Sequence, residues 1–300
     1  MTLQTEKRPW LLALDGSDDA FETVRYVAGI RSIHDRPMVL FAVTSRIPNV
    51  YWDLEKEPVY NRKLGEIRAW ESQRIKTLET YMAKAREVFV TAGFAPEQIE
   101  TRLHEREEGI ARDIIRECGK GYAAIVVGRK GTDRLREVLL GSVATKLLER
   151  VAAMPVVLVG RDVRQGKVLV AFDGSQGSLK GVDWVGSVFG ASGYDISLTN
   201  VMRYEEKDQI AKSERFIAEA FERAMDRLIA AGVSRDRITT QIVTGATSRA
   251  ASLVKEAAQG GYGTIVMGRR GLSEVRDFSM GTVTNKVVQL ATKHAVWVVG

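Results

Sequence analysis

The chain has 300 residues, of which 45% are apolar and 27% charged, and its net charge is +6. This composition is typical of a globular protein large enough for about two domains, each with its own core. No apolar run approaches the roughly 20 residues that span a bilayer, and the N-terminal segment lacks the apolar stretch of a secretory signal, so we expect a cytoplasmic protein. The basic residues are scattered among acidic ones, which disfavours nucleic-acid binding.

The cysteine and histidine content argues against a disulfide, a zinc site and a catalytic triad. The chain has one cysteine, Cys118, and its histidines, His34, His104 and His294, stand far apart. No Cys/His cluster has zinc spacing, and no spacing indicates a Ser-His-Asp arrangement. We therefore expect Cys118 to be a small core residue, and we predict no catalytic and no metal-ligating residue.

The first predicted elements are a short buried strand and a helix. The strand WLLAL ends in Asp15-Gly-Ser, and Ser17 is a good N-cap. Behind it Ala20 and Val24 recur at helical spacing, as do other apolar residues of this segment. The sequence therefore predicts a helix that begins directly after the serine.

A second strand, MVLFAV, and a long helix come next. Apolar residues, Trp70 among them, recur at helical spacing from Ile67 to Phe89, and Gly93 marks the end of this helix. The segment before it, residues 45–63, has no counterpart in the second half, and we predict a loop or an extra helical turn there. Its aromatic residues, which either cover a pocket or simply pack, are Tyr51, Trp52 and Tyr60.

The first half ends with a helix around Ile110 and Ile114, the strand AAIVV, a glycine-rich segment and the strand PVVLV. The glycine-rich segment is GRKGTDRLREVLLGS, residues 128–142, with the pattern G-x2-G-x9-G-S. A final helix is predicted to begin at its serine. The second half repeats this order, and GRRGLSEVRDFSMGT, residues 268–282, keeps the pattern with Thr282 in place of Ser142.

This repeat predicts a duplication with one doubly wound parallel sheet in each half. Strands that alternate with helices at these lengths imply right-handed crossovers. We place the boundary within RDVRQGK, residues 161–167, and predict domains 1–162 and 163–300. In such sheets a ligand binds at the carboxyl ends of the strands, beside the point where the strand order reverses. Both repeated motifs, Asp-Gly-Ser and the glycine pattern, lie at such ends.

The glycine pattern is suited to a phosphate group. Gly128 and Gly268 follow a strand directly, where a missing Cβ leaves room for a ligand and permits a positive φ. The helix that begins at Ser142 or Thr282 presents free N–H groups and the positive end of its dipole. The structural alternative is a plain turn followed by an ordinary Ser or Thr cap. Because the pattern survives in two diverged copies, we favour the functional interpretation.

With its strand-end aspartate and a last strand such as PVVLVG or AVWVVG, the pattern G-x2-G-x9-G-[S/T] resembles the ATP-binding form of the universal stress protein family over essentially the whole chain. The resemblance implies two tandem Rossmann-like domains of the adenine nucleotide alpha hydrolase-like kind, each with a five-stranded parallel sheet of order 3-2-1-4-5. It also implies ATP, with Mg²⁺, as the ligand. The two halves would pair through their fifth strands, and chains could pair again as a homodimer.

The same resemblance implies a set of nucleotide-binding residues in each half. In the first half these are Ala13, Asp15, Val43, Gly128, Arg129, Gly131, Gly141, Ser142 and Val143. In the second half they are Ala171, Asp173, Val201, Gly268, Arg269, Gly271, Gly281, Thr282 and Val283. The aspartates would contact the ribose or base, the second strands would offer backbone groups to adenine, and the glycine pattern would line the phosphates. The basic residues of the loops, which either reach phosphate or are solvated, are Arg129, Lys130, Arg269 and Arg270.

The two copies differ after the third strand. The second copy has Gly245 where the family usually has a glycine, whereas the first copy has Glu105 in that register. A carboxylate there would crowd or repel phosphate. We therefore expect the C-terminal site to bind ATP at least as well as the N-terminal one.

The sequence favours a binding protein over an enzyme. It contains neither a Walker motif nor the SGGxDS-like loop of related adenylating folds, and no general base recurs beside the glycine pattern. We expect a stress-response regulator in which nucleotide occupancy shifts conformation or partner binding. The alternatives are a slow ATPase or adenylyl or phosphoryl transferase on the same fold, and a nucleotide-free scaffold.

Overall fold

The structure is a computed structural model that describes residues 8–44, 61–130, 140–203, 207–272 and 280–300. The predictions made for Tyr51, Trp52, Tyr60 and Gly131 lie outside these residues. Within the part of the chain that is described, no helix combines the length and the apolar character that crossing a bilayer requires.

The described residues of the first half alternate between strands and helices. The strands are Trp10–Ala13 (β1), Met38–Thr44 (β2), Ile99–Glu105 (β3), Ala124–Gly128 (β4) and Val156–Val159 (β5). The helices are Asp18–Ala28 (α1), Asn61–Ala92 (α2), Ile110–Cys118 (α3) and Ser142–Arg150 (α4). The strands lie in the order β3-β2-β1-β4-β5 and are parallel to one another.

The second half repeats this arrangement. Its strands are Lys167–Ala171 (β6), Asp195–Arg203 (β7), Ile238–Ala246 (β8), Thr264–Gly268 (β9) and Ala295–Val299 (β10). Its helices are Gln176–Phe189 (α5), Lys207–Ala230 (α6), Arg249–Gly260 (α7) and Thr282–Leu290 (α8). The order β8-β7-β6-β9-β10 is again 3-2-1-4-5, which confirms the fold class predicted from the alternation.

The two halves join through their last strands into one ten-stranded sheet. β5 and β10 pair antiparallel, with Trp297 opposite Val157. On one face of the sheet, the ring of Trp10 in β1 lies 6.0 Å from that of Trp184 in α5 and 5.8 Å from that of Trp297. Aromatic rings from both halves therefore pack together on this face. The antiparallel pairing of β5 with β10 agrees with the expected pairing of the fifth strands.

Local chemistry explains where the helices begin and end. Ser17 accepts a hydrogen bond from the backbone N–H of Ala20 at 3.1 Å, and Ser175 caps α5 in the same way. α2 ends before Gly93, whose φ of 108° an L side chain rarely adopts. Trp70 departs from the apolar face predicted for α2, because 58% of its surface is exposed.

Candidate functional site

A cavity of about 680 Å³ opens at the carboxyl edge of the second-half strands. This volume falls within the usual range of sites for small molecules. The cavity contains every residue predicted for the second-half site except Arg269. These residues are Ala171, Asp173, Val201, Gly268, Gly271, Gly281, Thr282 and Val283. The sheet thus brings together residues that lie far apart in the sequence, because parallel strands end at one edge.

The end of β6 forms the first wall of the cavity. Asp173 accepts a hydrogen bond from the backbone N–H of Ser175 at 3.0 Å, which holds its carboxylate at the start of α5. The neighbouring backbone is fixed by Asn200, whose side-chain amide donates to the carbonyl of Phe172 at 2.8 Å. A Cβ on Gly271 would stand 2.4 Å from the Asp173 carboxylate, so only glycine allows this close approach. The aspartate and the glycine loop therefore form one surface.

The start of α8 forms the opposite wall. Gly281 is the N-cap of this helix, and its N–H donates to the carbonyl of Arg269 at 2.9 Å. One turn further on, the Thr284 hydroxyl donates to the carbonyl of Gly268 at 2.9 Å. These two hydrogen bonds hold the end of β9 against the helix start. The first N–H groups of α8 thereby face the region that Thr282 and Val283 line.

Gly128 and Gly268 allow close packing of the backbone. The expectation that they adopt a positive φ is wrong. Neither residue has a positive φ. A Cβ on Gly268 would stand 2.5 Å from the backbone of Gly177 in α5, and one on Gly128 would stand 3.2 Å from the carbonyl of Asp19 in α1. The strand ends are glycine because a helix crosses them closely.

Arg129 and Arg269 also differ from expectation. Their exposed fractions are 5% and 6%, and each guanidinium crosses into the opposite half. Arg129 donates to backbone carbonyls at the end of α8, and Arg269 to those at the end of α4. We therefore withdraw the prediction that these two side chains bind phosphate. The following residue, Arg270, lines the cavity instead.

Several cavity residues were not predicted from the sequence. They include Thr199 and Asn200 in β7, Phe216 in α6, and Arg249 and Leu253 in α7. The sequence alone could have indicated Asn200, because a polar side chain within the buried strand ISLTNV needs a hydrogen-bonding partner. Phe216 gave no such signal, since an aromatic residue on an amphipathic helix is ordinarily part of a core.

Apart from Arg129 and from Gly131, which lies outside the described residues, the first half places its predicted residues at the equivalent ends of its strands and helices. Ala13 ends β1, Val43 lies in β2, and Gly128 ends β4. Asp15 accepts from the backbone N–H of Ser17 at 3.0 Å. The remaining predicted residues stand where the glycine pattern meets α4, at Gly141, Ser142 and Val143.

Two positions of the first half carry a larger or a charged side chain where the second half lines its cavity. Phe41, which pairs with Ala13 as Thr199 pairs with Ala171, is buried and stacks on His104 with ring centroids 5.7 Å apart. A phenyl ring thus takes the place of a hydroxyl that lines the second-half cavity. The first-half counterpart is therefore narrower at this position.

A buried carboxylate marks a second difference. Asp113 stands at the position of Leu253, and it accepts hydrogen bonds from the backbone N–H groups of Glu107, Glu108 and Gly109 at 3.0, 3.1 and 3.4 Å. Burial alone would raise the pKa of Asp113, but these donors and a nearby arginine hold it below its usual value. A negative charge therefore sits where the second half presents an apolar side chain.

The described residues contain no group of three or more His, Cys, Asp or Glu side chains placed to hold a metal ion. Cys118 is buried, and burial, aided by the neighbouring Glu117, raises the pKa of its thiol to about 12. Its placement in the core agrees with the role expected from the sequence.

A chain with two such halves can be compared with known proteins. The model of the universal stress protein family matches residues 8–160 and 166–300. The chain therefore belongs to the universal stress protein family, as the glycine pattern indicated.

Individual relatives are distant. A universal stress protein of Mycolicibacterium smegmatis is 29% identical over 173 residues, a match that covers 56% of this chain and 55% of that protein. The chain thus spans about half the length of this curated relative. The crystal structure of a universal stress protein from Archaeoglobus fulgidus covers 98% of this chain and 96% of its own, with a TM-score of 0.65 and 17% identity. A solved universal stress protein in complex with cAMP is 27% identical, covers 44% of this chain and 94% of its own, and has a TM-score of 0.36.

Proposed function

We propose that the second-half cavity binds ATP together with Mg²⁺, and that the protein acts as a stress-response regulator. Nucleotide occupancy would change the conformation or the partner surface of the paired halves. Such a mechanism requires that ATP bind one conformation more tightly than another. The observation that carries the proposal is the environment of Gly281.

Among the described residues, nothing in the structure requires position 281 to be glycine. Its φ is −67°, which every residue adopts readily, and a Cβ there would meet its nearest heavy atom, the carbonyl oxygen of Arg269, at 3.5 Å. That distance is an ordinary contact. Because neither the backbone nor the packing of the residues that the structure describes requires glycine, we attribute the missing side chain to a ligand that approaches the start of α8. The family's glycine pattern at this point supports a phosphate.

The rest of the cavity matches the other parts of a nucleotide. Arg270 lines the phosphate side, where its positive charge is favourable. Mg²⁺ is commonly held by one or two protein oxygens together with the phosphates of the ligand. The Thr282 hydroxyl, which lines the cavity at the start of α8, would supply such an oxygen, whereas Asp173 would contact the ribose or base. The aliphatic and aromatic residues of the cavity suit a purine base.

We further propose that the first half binds ATP more weakly. Phe41 fills the position of Thr199, and Asp113 places a buried negative charge at the position of Leu253. Glu105 ends β3 at the register of Gly245, which adds a second carboxylate near the same edge. A purine base would clash with the ring of Phe41. The negative charges of Asp113 and Glu105 would repel the phosphates.

The test is a thermal melt of the full chain with and without Mg-ATP. Ligand at about 100 times its dissociation constant adds about 2.7 kcal/mol to the free energy of unfolding, which raises the Tm by several degrees. The Gly281→Leu variant is expected to lose this shift. The matched control is Gly141→Leu, since Gly141 is the N-cap of α4 with the same φ of −67°. That variant is expected to keep the shift.

Measurements of nucleotide release, cAMP binding and ATP consumption distinguish the proposed regulator from a scaffold and from an enzyme. No shift, and no nucleotide released on denaturation, would contradict ATP binding and favour a scaffold. A shift with cAMP but none with ATP would mean that the cavity does not take a triphosphate. Rapid ATP consumption that a second substrate accelerates would favour a phosphoryl or adenylyl transferase over a regulator.

A further inference from the structure

Two buried arginines connect the halves at the ends of the glycine-pattern helices. Arg129 follows β4, and its guanidinium donates to the carbonyls of Val288 and Gln289 in the last turn of α8, at 3.2 Å for Gln289. The last carbonyls of a helix have no partner within the helix, and a cation there is favoured by the helix dipole. Arg129 therefore satisfies groups of the second half that would otherwise be buried without a hydrogen bond.

The second half returns the same contact. Arg269 follows β9, and it donates to the carbonyls of Leu148 and Val151 at the end of α4. Burial lowers the pKa of both guanidiniums, to about 10 for Arg129, so that both remain charged at neutral pH. Each arginine thus donates two hydrogen bonds to backbone carbonyls of the opposite half.

The other ends of these helices are capped by Gly141 and Gly281, the last glycines of the two glycine patterns. α8 begins at Gly281, whose N–H binds the backbone carbonyl of Arg269 at 2.9 Å. α4 begins at Gly141, whose N–H binds the backbone carbonyl of Arg129 at 2.7 Å. Each helix has nine residues and so spans about 13 Å. These contacts form a closed ring with four members, which are Arg129, α8, Arg269 and α4. Each arginine lies at the start of a glycine pattern, and each helix begins at the end of one.

We propose that this ring couples the two halves, so that a nucleotide bound at the start of α8 stabilises α4 of the first half. This inference rests on the proposed ATP binding by the second half. A phosphate at the start of α8 fixes the position of that helix, and a short helix moves as one body. Its far end holds Arg129, and a hydrogen bond weakens steeply when its length or angle changes. The proposal thus names a continuous physical path between the halves.

The experiment is hydrogen–deuterium exchange of the full chain, followed by mass spectrometry, with and without saturating Mg-ATP. In the unsubstituted protein, Mg-ATP is expected to slow exchange of the α4 amides, residues 142–150, by at least about fivefold, the lower end of ordinary allosteric coupling. In Arg129→Lys, a compact and strongly hydrated ammonium on a flexible stem replaces the planar guanidinium, whose Nη2 donates both hydrogen bonds, so both bonds are expected to weaken. That variant is expected to lose the protection of α4 while it keeps the ATP-induced rise in Tm.

The matched control is Arg36→Lys. Arg36 also donates across the halves, to the carbonyl of Ser187 at 3.2 Å, but it is half-buried and is not one of the four members of the ring. This variant is expected to keep the protection of α4. Arg269→Lys tests the ring at its other link and replaces Arg129→Lys if that variant does not fold.

The outcomes distinguish the two proposals. A rise in Tm with unchanged exchange of α4 overturns the coupling and leaves ATP binding intact. Protection of α4 that persists in both Arg129→Lys and Arg269→Lys also overturns the coupling through the arginines. The absence of any rise in Tm overturns ATP binding and the coupling together.

Discussion

Asn200 donates a side-chain hydrogen bond of 2.8 Å to the backbone carbonyl of Phe172, and the first half has no equivalent of it. Strand pairing aligns Asn200 with Ala42, which has no side chain that could donate. Asn200 is 8% exposed, so the bond is shielded from water. It fixes the backbone immediately before Asp173, at the wall of the cavity.

We expect Asn200→Ala to weaken both the fold and the site of the second half. The substitution leaves the carbonyl of Phe172 buried without its partner, which destabilises by about 1–3 kcal/mol. Because the freed backbone carries Asp173, the Tm shift induced by Mg-ATP should also fall. Chemical denaturation of the ligand-free protein measures the first effect, and nucleotide titration the second. Unchanged ATP affinity would show that the Asn200 bond has no part in shaping the cavity.

His294 predicts how stability depends on acid. The residue is buried where β10 begins, and burial, followed by the charge of Arg129, lowers the pKa of its imidazole. The unfolded state therefore binds a proton that the folded state resists. Above about pH 6.5, the ordinary histidine pKa, His294 is neutral in both states and the folded state pays no penalty for burying it. As the pH falls below this value, the unfolded state gains a proton and the free energy of unfolding decreases. Denaturation curves between pH 7.5 and 5.5, taken as about one unit either side of that pKa, should show falling stability.

The matched variant is His294→Gln, which keeps a polar side chain of similar length but does not titrate. Its stability should change less than that of the unsubstituted protein over the same pH interval. Parallel curves for the two proteins would mean that another group is responsible for the acid sensitivity.

Asp113 predicts a further loss of stability in the first half, at lower pH. Its carboxylate accepts three backbone N–H groups, and its pKa is held low, so it stabilises the folded state when ionised. That contribution is present above the unfolded pKa of about 3.9 and is lost as the pH falls through the lower folded value. Asp113→Asn should lower stability at pH 7 and flatten the acid limb of the stability profile. A variant as stable as the unsubstituted protein would show that the loop of residues 107–109 needs no carboxylate.

The buried thiol of Cys118 should be unreactive in the folded protein. A pKa of about 12 leaves almost no thiolate at pH 8, and the sulfur is inaccessible to reagents. A colorimetric thiol reagent is expected to react only after denaturant is added. Complete reaction of the folded protein within minutes would mean that α3 opens frequently.

The sequence predicted the sheet, and it predicted that most residues lining the second-half cavity would lie at one edge of that sheet, for a simple physical reason. Strands buried on both faces read as continuous apolar runs, and a duplicated pattern shows which short motifs recur. Asp173 and Gly281 could be placed at one edge because parallel strands end together. Both became cavity residues in the structure.

The sequence could not predict the direction in which individual side chains point. Arg129 and Arg269 have the same neighbours in the chain whether they point into the cavity or across to the other half. Their direction follows from the antiparallel pairing of β5 with β10, which places the end of α4 beside the loop after β9. A contact between elements so distant in sequence leaves no local periodicity. Phe216 was missed for a related reason, because half of its surface is exposed and its partners come from other elements.

The contrast between Phe41 and Thr199 gives a direct test of why the two halves differ. Thr199 is 1% exposed and lines the cavity, so a phenyl ring at this position has room to extend into it. We expect Thr199→Phe to remain folded and to lose most of the Tm shift induced by Mg-ATP. The lost volume at the base end is the physical reason.

The reciprocal substitution supplies the control. Phe41→Thr removes a ring that is 1% exposed and stacked on His104, and large-to-small changes of this kind destabilise by about 3–5 kcal/mol. Its ATP-induced shift should persist, because the second-half cavity is untouched. If Thr199→Phe binds ATP as well as the unsubstituted protein, the ligand does not occupy the part of the cavity beside β7. The first half would then have to differ in affinity through the charge of Asp113 rather than through the bulk of Phe41.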